Sequence, residues 1–200
     1  DRIISMDREN TQAYFDRAED YKNKETYEKA VKDFEKGLDL DPKRHEMWNE
    51  KGRSEYRLER YEEALSSFNK ALELDPNDKV ALKNKGHSLY KLDRYEESIN
   101  SYDKALEIDS EDYKIWYSKG LAQEGLNRYE EAIISYEKAM DLEPDNESIL
   151  MDLGKAFQWL GRYGKAIETF NDLINIDPSN RVAYIKKGES LASINKHEEA

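Results

Sequence analysis

Residues 48–76 carry Trp48-Asn49-Glu50-Lys51-Gly52, then Tyr61-Glu62-Glu63-Ala64, Phe68 and Ala71, and close on Leu74-Asp75-Pro76. The same pattern returns every 34 residues. Gly52 recurs as Gly86, Gly120, Gly154 and Gly188, and Tyr61 as Tyr27, Tyr95, Tyr129 and Tyr163. Ala64 recurs as Ala30, Ser98, Ala132, Ala166 and Ala200. Pro42, Pro76, Pro144 and Pro178 share one phase, with Ser110 in the remaining place. A fixed period of this length means an array in which each unit is one supersecondary element. Residues 11–44, 45–78, 79–112, 113–146 and 147–180 are five full units; 1–10 resemble the end of a preceding one, and 181–200 begin a sixth that stops within its expected second helix. Both ends are expected to continue a longer array.

Each unit reads as helix, short turn, helix. Trp48, Gly52, Tyr56 and Leu58 recur at a spacing near one helical turn, which makes one apolar face. Gly52, Ala64 and Ala71 let the two helices approach, and Phe68 fills the space between them, small against large. Asp93-Arg94-Tyr95-Glu96 and Asn127-Arg128-Tyr129-Glu130 have the spacing of a capping box. The acid pairs Glu62-Glu63, Glu96-Glu97 and Glu130-Glu131 then fall in the first turn of the second helix, where they complement its dipole. Asp-Pro ends that helix, because proline lacks the N–H and disfavours helix at the residue before it. Asp78, Asp112, Asn146 and Asn180 follow as N-caps of the next hairpin.

Of the 200 residues, 38% are hydrophobic and 38% charged, with a formal net charge of −12. That hydrophobic share is low for one spherical core and suits a thin two-layer stack. The negative charge disfavours nucleic acid, whose binding needs clustered cations. No cysteine is present, so there is neither a disulfide framework nor a thiolate metal site. No apolar run approaches the ~20 residues of a membrane span. The three histidines, His45, His87 and His197, have no metal-binding spacing. Gly161-Arg162-Tyr163-Gly164 lacks the pattern of a phosphate loop. No pair of carboxylates is placed for acid–base chemistry. The expectation is therefore no catalysis, no cofactor and no metal, in a cytoplasmic protein.

The recurrent Trp, Gly, Tyr, Ala, Phe, Ala and Pro resemble the tetratricopeptide repeat signature. Repeat two matches through Trp48, Gly52, Ala64, Phe68, Ala71 and Pro76, and repeat four through Trp116, Gly120, Ala132, Tyr136, Ala139 and Pro144. Departures are Lys51, Lys85, Lys119 and Lys187 where the family has leucine, Ala18 and Gly37 in repeat one, Leu173 in repeat five, and Ser110 for proline. Trp48 and Trp116 share one phase and read as core. The resemblance implies an all-α, right-handed superhelical solenoid of antiparallel helix pairs whose first helices line a concave groove for a protein or peptide.

In the family that groove is lined by the second, fifth, sixth, ninth, twelfth and thirteenth residues of each repeat. In repeat one these include Phe15, Lys22 and Asn23. The central candidates are Asn49, Arg53, Tyr56 and Arg57 from repeat two, Lys83, Asn84, His87, Tyr90 and Lys91 from repeat three, and Lys114, Tyr117 and Leu121 from repeat four. Met151 and Trp159 follow from repeat five. Cations for carboxylates, asparagines for a peptide backbone and tyrosines for stacking point to an acidic or C-terminal segment of a partner. Of the family's two-carboxylate clamp only Asn84 and Lys114 match, which argues against a chaperone adaptor of that type. The alternatives are self-assembly into a homo-oligomer through open repeat ends, and the interaction region of a larger enzyme.

Overall fold

The computed structural model describes residues 11–198, with side chains through 195; the expectation for residues 1–10 lies outside them, as does the Ala200 position. The described residues form eleven α-helices and no strand. The chain divides into two compact units, one ending at Ile108 and the other beginning at Asp109. The first holds α1 (Thr11–Asn23), α2 (Tyr27–Leu40), α3 (His45–Arg57), α4 (Tyr61–Leu74), α5 (Lys79–Lys91) and α6 (Tyr95–Ile108). The second holds α7 (Tyr113–Gly125), α8 (Tyr129–Leu142), α9 (Glu147–Trp159), α10 (Tyr163–Ile176) and α11 (Arg181–Glu198). Within each unit every helix packs on the next, and α3 also touches α5, as α9 touches α11.

An aromatic ring packs closely against a glycine in each of the five hairpins described. A Cβ on Gly52, Gly86, Gly120 or Gly154 would lie 2.7, 2.5, 2.4 and 2.4 Å from the rings of Phe68, Tyr102, Tyr136 and Phe170. Those rings are fully buried and anchor the hydrophobic core. Repeat one inverts the arrangement: Phe15 on the first helix covers Gly37 on the second, so Phe15 is core and does not face a groove. Ser98 stands where the other repeats have alanine because its hydroxyl donates to the Gly86 carbonyl at 2.8 Å inside the hairpin.

The turn within each hairpin corrects the capping-box expectation. Glu25, Glu59, Asp93, Asn127 and Gly161 all adopt positive φ, between 56° and 67°. The next residue's N–H reaches back five residues, as Arg60 to the Glu55 carbonyl at 3.0 Å and Arg94 to Leu89 at 2.9 Å. The positive-φ residue itself bonds the carbonyl three before it, as Glu59 to Tyr56 at 3.0 Å. This is the left-handed C-terminal closure of the first helix, not an N-cap of the second. The residues that do occupy the N-cap, Arg60, Arg128 and Arg162, make no side-chain cap bond. Asp93 and Asn127 instead suit the left-handed conformation. Each accepts from the following tyrosine: Tyr95 Oη donates to Asp93 at 2.6 Å and Tyr129 Oη to Asn127 at 2.9 Å. The Asp93 bond pushes the Tyr95 phenol up to about 12.

Between hairpins the expected N-caps are present. Asp78, Asp112, Asn146 and Asn180 accept from Ala81, Lys114, Ser148 and Ala183 N–H groups at 3.0–3.1 Å. The aspartate that ends the preceding helix accepts from the backbone two residues on, at 3.0 Å for Asp75 and 2.9 Å for Asp109. The turn without proline therefore keeps the same bond. Trp48 and Trp116 are half-buried rather than core. Their indole N–H groups clasp these turns, donating to the Pro42 and Ser110 carbonyls at 2.9 Å in both cases.

The sixth repeat departs from expectation. α11 runs unbroken for 18 residues, from Arg181 to Glu198, through the place where every other repeat turns. No second helix packs back on it among the described residues, so nothing imposes the costly left-handed residue there.

Candidate functional site

In the first unit, α1, α3 and α5 enclose a cavity of about 420 Å³, lined by Lys22, Asn23, Tyr27, Arg53, Tyr56, Arg57, Asn84 and His87, with Phe68 beneath. Five of the residues expected to bind a partner meet here: Arg53, Tyr56, Arg57, Asn84 and His87. Lys22 and Asn23, at the twelfth and thirteenth positions of repeat one, join them. Tyr27, the recurrent tyrosine of repeat one, also lines the cavity, and no local signal in the sequence marks it as doing so.

The cations are not equally available. Glu50 accepts from Lys22 and, at 2.6 Å, from Arg53, and Lys22 also pairs with Glu19. Arg57 is exposed and has no ion pair among the described residues. It lies close enough to the Tyr56 hydroxyl to oppose the upward push that burial gives that phenol. The Tyr56 ring is held edge-on by Tyr61 at 5.3 Å, and His87 likewise by Tyr102 at 5.6 Å. Asn49 is buried, and its side-chain oxygen accepts from Asn84 Nδ2 at 3.1 Å. Asn84 therefore presents its own oxygen and one remaining N–H, while Asn49 serves to position it. Lys83, Tyr90 and Lys91 lie on α5 outside the cavity, with Tyr90 edge-on to Tyr95 at 5.5 Å. The site is thus a polar pocket with an aromatic floor and a cationic rim.

The second unit has a more open cavity of about 400 Å³, where Tyr117 and Met151 meet Glu147, Ser148, Asp152, Lys155, Asn180 and Val182. Tyr117 Oη donates to Asp152 at 2.7 Å, and Lys155 donates to the other Asp152 oxygen at 2.9 Å. Nearby, Tyr136 Oη donates to Glu124 at 2.8 Å. Burial raises the Glu124 carboxyl above its usual range, and the bond from Tyr136 opposes that shift. Leu121 packs into the core of this unit. Lys114 is exposed, its ammonium 5.7 Å from the Tyr113 ring, and lines neither cavity. Trp159 is 67% exposed and stacks on Tyr129 with centroids 5.7 Å apart and planes 12° from parallel, away from the cavity.

Among the described residues no cluster of three or more potential metal ligands occurs, and no helix is long and apolar enough to cross a membrane.

Helical hairpins with glycine–aromatic seams, stacked so that first helices line a polar pocket, define the class of helical-repeat scaffolds. Residues 15–79 and 121–187 match family models described as tetratricopeptide repeat, and residues 86–127 one described as TPR repeat. The chain belongs to the tetratricopeptide repeat family. No curated protein is significantly similar to it in sequence. Among solved structures it is similar to YrrB, described as a TPR protein with an unusual peptide-binding site: TM-score 0.81 at 21% identity, over 94% of this chain and 96% of that one. A MamA protein gives TM-score 0.81 at 21% identity, over 84% and 92%. MamA 41-end from Desulfovibrio magneticus RS-1 gives 0.81 at 23%, over 86% and 97%. At these identities the likeness establishes the fold.

Proposed function

We propose that the chain is a non-catalytic protein-interaction scaffold that holds an acidic peptide segment of a partner in the α1/α3/α5 cavity. The observation that carries this reading is Arg57, an exposed cation without an ion pair among the described residues, beside Arg53, Asn23 and Asn84 over an aromatic floor, on a chain of net charge −12. A peptide carboxylate gains charge-assisted bonds from the guanidinium groups. The amides of Asn23 and Asn84 suit an extended backbone, and the tyrosines take an adjacent apolar side chain. A YrrB-like peptide-binding role is consistent with the shared fold.

A peptide library panned on the chain should enrich acidic sequences, and Arg53→Glu with Arg57→Glu should weaken the best of them by about a hundredfold, two charge-assisted bonds' worth. Lys138→Glu, on the exposed side of α8, should leave affinity unchanged. Equal binding by the double variant would overturn the assignment.

A second reading is self-association through α11. Val182, Tyr184, Ile185 and Leu191 on this one helix are 45–58% exposed. Val182 and Ile185 lie one turn apart on one side of this helix, with Tyr184 and Leu191 on another, and adjoining exposed apolar side chains mark an interaction surface. Light scattering should then show mass rising with concentration, and Ile185→Glu should abolish the rise; a constant monomer mass would discard it.

A further inference from the structure

A second cavity in the first unit, of about 320 Å³, shares no lining residue with the groove cavity. It lies where α4 and the turn after it meet α5 and α6. Leu72, Leu82 and Leu89 supply an apolar wall, and Lys85, Lys104, Ser101, Asn100 and the carboxylate of Glu97 a polar one.

The repeat makes the oddity of this cavity visible. Arg17, Lys51, Lys85 and Lys119 occupy one column of the 34-residue period. In repeat one, Arg17 forms a two-pronged pair with the buried Asp33. In repeat two, Lys51 bonds the buried Glu55 at 2.6 Å and lies over the Trp48 ring. In repeat three the column of Asp33 holds Ser101, the column of Glu55 holds Leu89, and the column of Trp48 holds Leu82. Lys85 has therefore lost the acid from both places and the ring as well. Ser101 turns its hydroxyl proton to the Glu97 carbonyl of its own helix at 2.9 Å. Lys104 is out of pattern too. Its equivalents Lys70 and Lys138 pair with Glu73 and Asp141, three residues on. Neither Lys85 nor Lys104 has an ion pair among the described residues.

Two ammonium groups thus line one cavity with no counter-charge bonded to either. Burial and the neighbouring Lys104 both lower the Lys85 pKa. Glu97, on the same wall, acts in the opposite direction, but both its oxygens are held by Arg94, at 2.7 and 2.8 Å, and it pairs with neither lysine. An anion between the two lysines removes the repulsion and restores the bonds that Asp33 and Glu55 make in the earlier repeats.

We propose that this cavity is a binding site for a carboxylate on a short aliphatic stem, with Lys85 and Lys104 on the carboxylate and Leu72, Leu82 and Leu89 on the stem. A free small acid and an acidic side chain of a partner share that chemistry.

The test is a titration of the isotopically labelled chain, reading the lysine side-chain methylene signals by NMR. The probes are sodium pentanoate, sodium acetate and the capped peptide acetyl-Gly-Glu-Gly-amide, at constant ionic strength. Saturable shifts confined to Lys85 and Lys104 are expected, with pentanoate at least about ten times tighter than acetate because of its added methylenes. The apparent Lys85 pKa should rise on saturation. Tighter binding of pentanoate points to a free acid, and tighter binding of the peptide to a partner's side chain. Lys104→Met should weaken binding about tenfold. Leu89→Glu, which supplies the carboxylate that repeat two has at Glu55, should abolish it. Arg53→Glu with Arg57→Glu should leave it intact, so failure of the groove assignment and failure of this one are separable. Shifts spread evenly over all lysines, or unchanged binding in Leu89→Glu, would overturn the proposal.

Discussion

Gly120→Ala is expected to destabilise the second unit by about 2–3 kcal/mol, the upper part of the range for overpacking a tight core. The new methyl would sit 2.4 and 2.6 Å from two carbons of the Tyr136 ring. That ring cannot step aside. It is fully buried in a cluster with Ala132, Ala139 and Ile149, and its hydroxyl is tied to Glu124 at 2.8 Å. The helices must separate instead, and the seam is lost along with the clash. Gly164→Ala is the matched control, because nothing lies within 4 Å of its added methyl. There the gain in helix propensity should stabilise by about 0.5 kcal/mol. Thermal melts followed by circular dichroism should move in opposite directions for the two variants. A Gly120→Ala melt no lower than the wild type would show that ring contact does not set the helix separation.

Lys51→Met should cost the first unit about 3–5 kcal/mol, the range for stripping the partner from a buried charge. Glu55 is 1% exposed. Its carboxylate is held by Lys51 at 2.6 Å and by the Ser67 hydroxyl, also at 2.6 Å. Removing the ammonium leaves one hydroxyl for a buried negative charge. Adding Glu55→Leu should recover most of the loss, since a packed apolar replacement of the pair is often near neutral. Repeat three already carries Leu89 at that place. The four melts form a double-mutant cycle, and a coupling near zero would mean that Glu55 does not depend on Lys51.

The hairpins were legible because several independent signals share one period: glycine, aromatic, alanine and Asp-Pro. The inner turn was misread for an instructive reason. Asp93 and Asn127 each precede a glutamate by three residues, so each one alone looks like a capping box. Their whole column holds Glu25, Glu59, Asp93, Asn127 and Gly161, and the mixture of Asn, Asp and Gly marks a left-handed residue. The tryptophans were misplaced because their recurrence shows a shared role but not which one. A clasp on a carbonyl six residues earlier leaves no trace in the apolar pattern. Asn49 was beyond sequence reasoning too, since its partner Asn84 lies 35 residues on. The groove cavity was partly legible: Arg53, Tyr56, Arg57, Asn84 and His87 converge there, while Lys114 and Trp159 do not line the cavity of their own unit. The second cavity was hidden because Glu55 to Leu89 looks like an unremarkable change of a helix residue until its lysine partner is considered.

The indole clasps also give the chain its own optical probes. Trp48 in the first unit and Trp116 in the second sit in equivalent surroundings, each with its N–H on a turn carbonyl and a lysine ammonium over the ring, at 5.8 and 5.2 Å. When such a turn opens, the indole exchanges that carbonyl for water and its emission shifts to longer wavelength. Trp159, already in solvent, contributes a steady background. Because repeat arrays open locally between neighbours, fluorescence of the Trp48→Phe and Trp116→Phe variants, each keeping one clasp, resolves which unit loosens first, with no label attached.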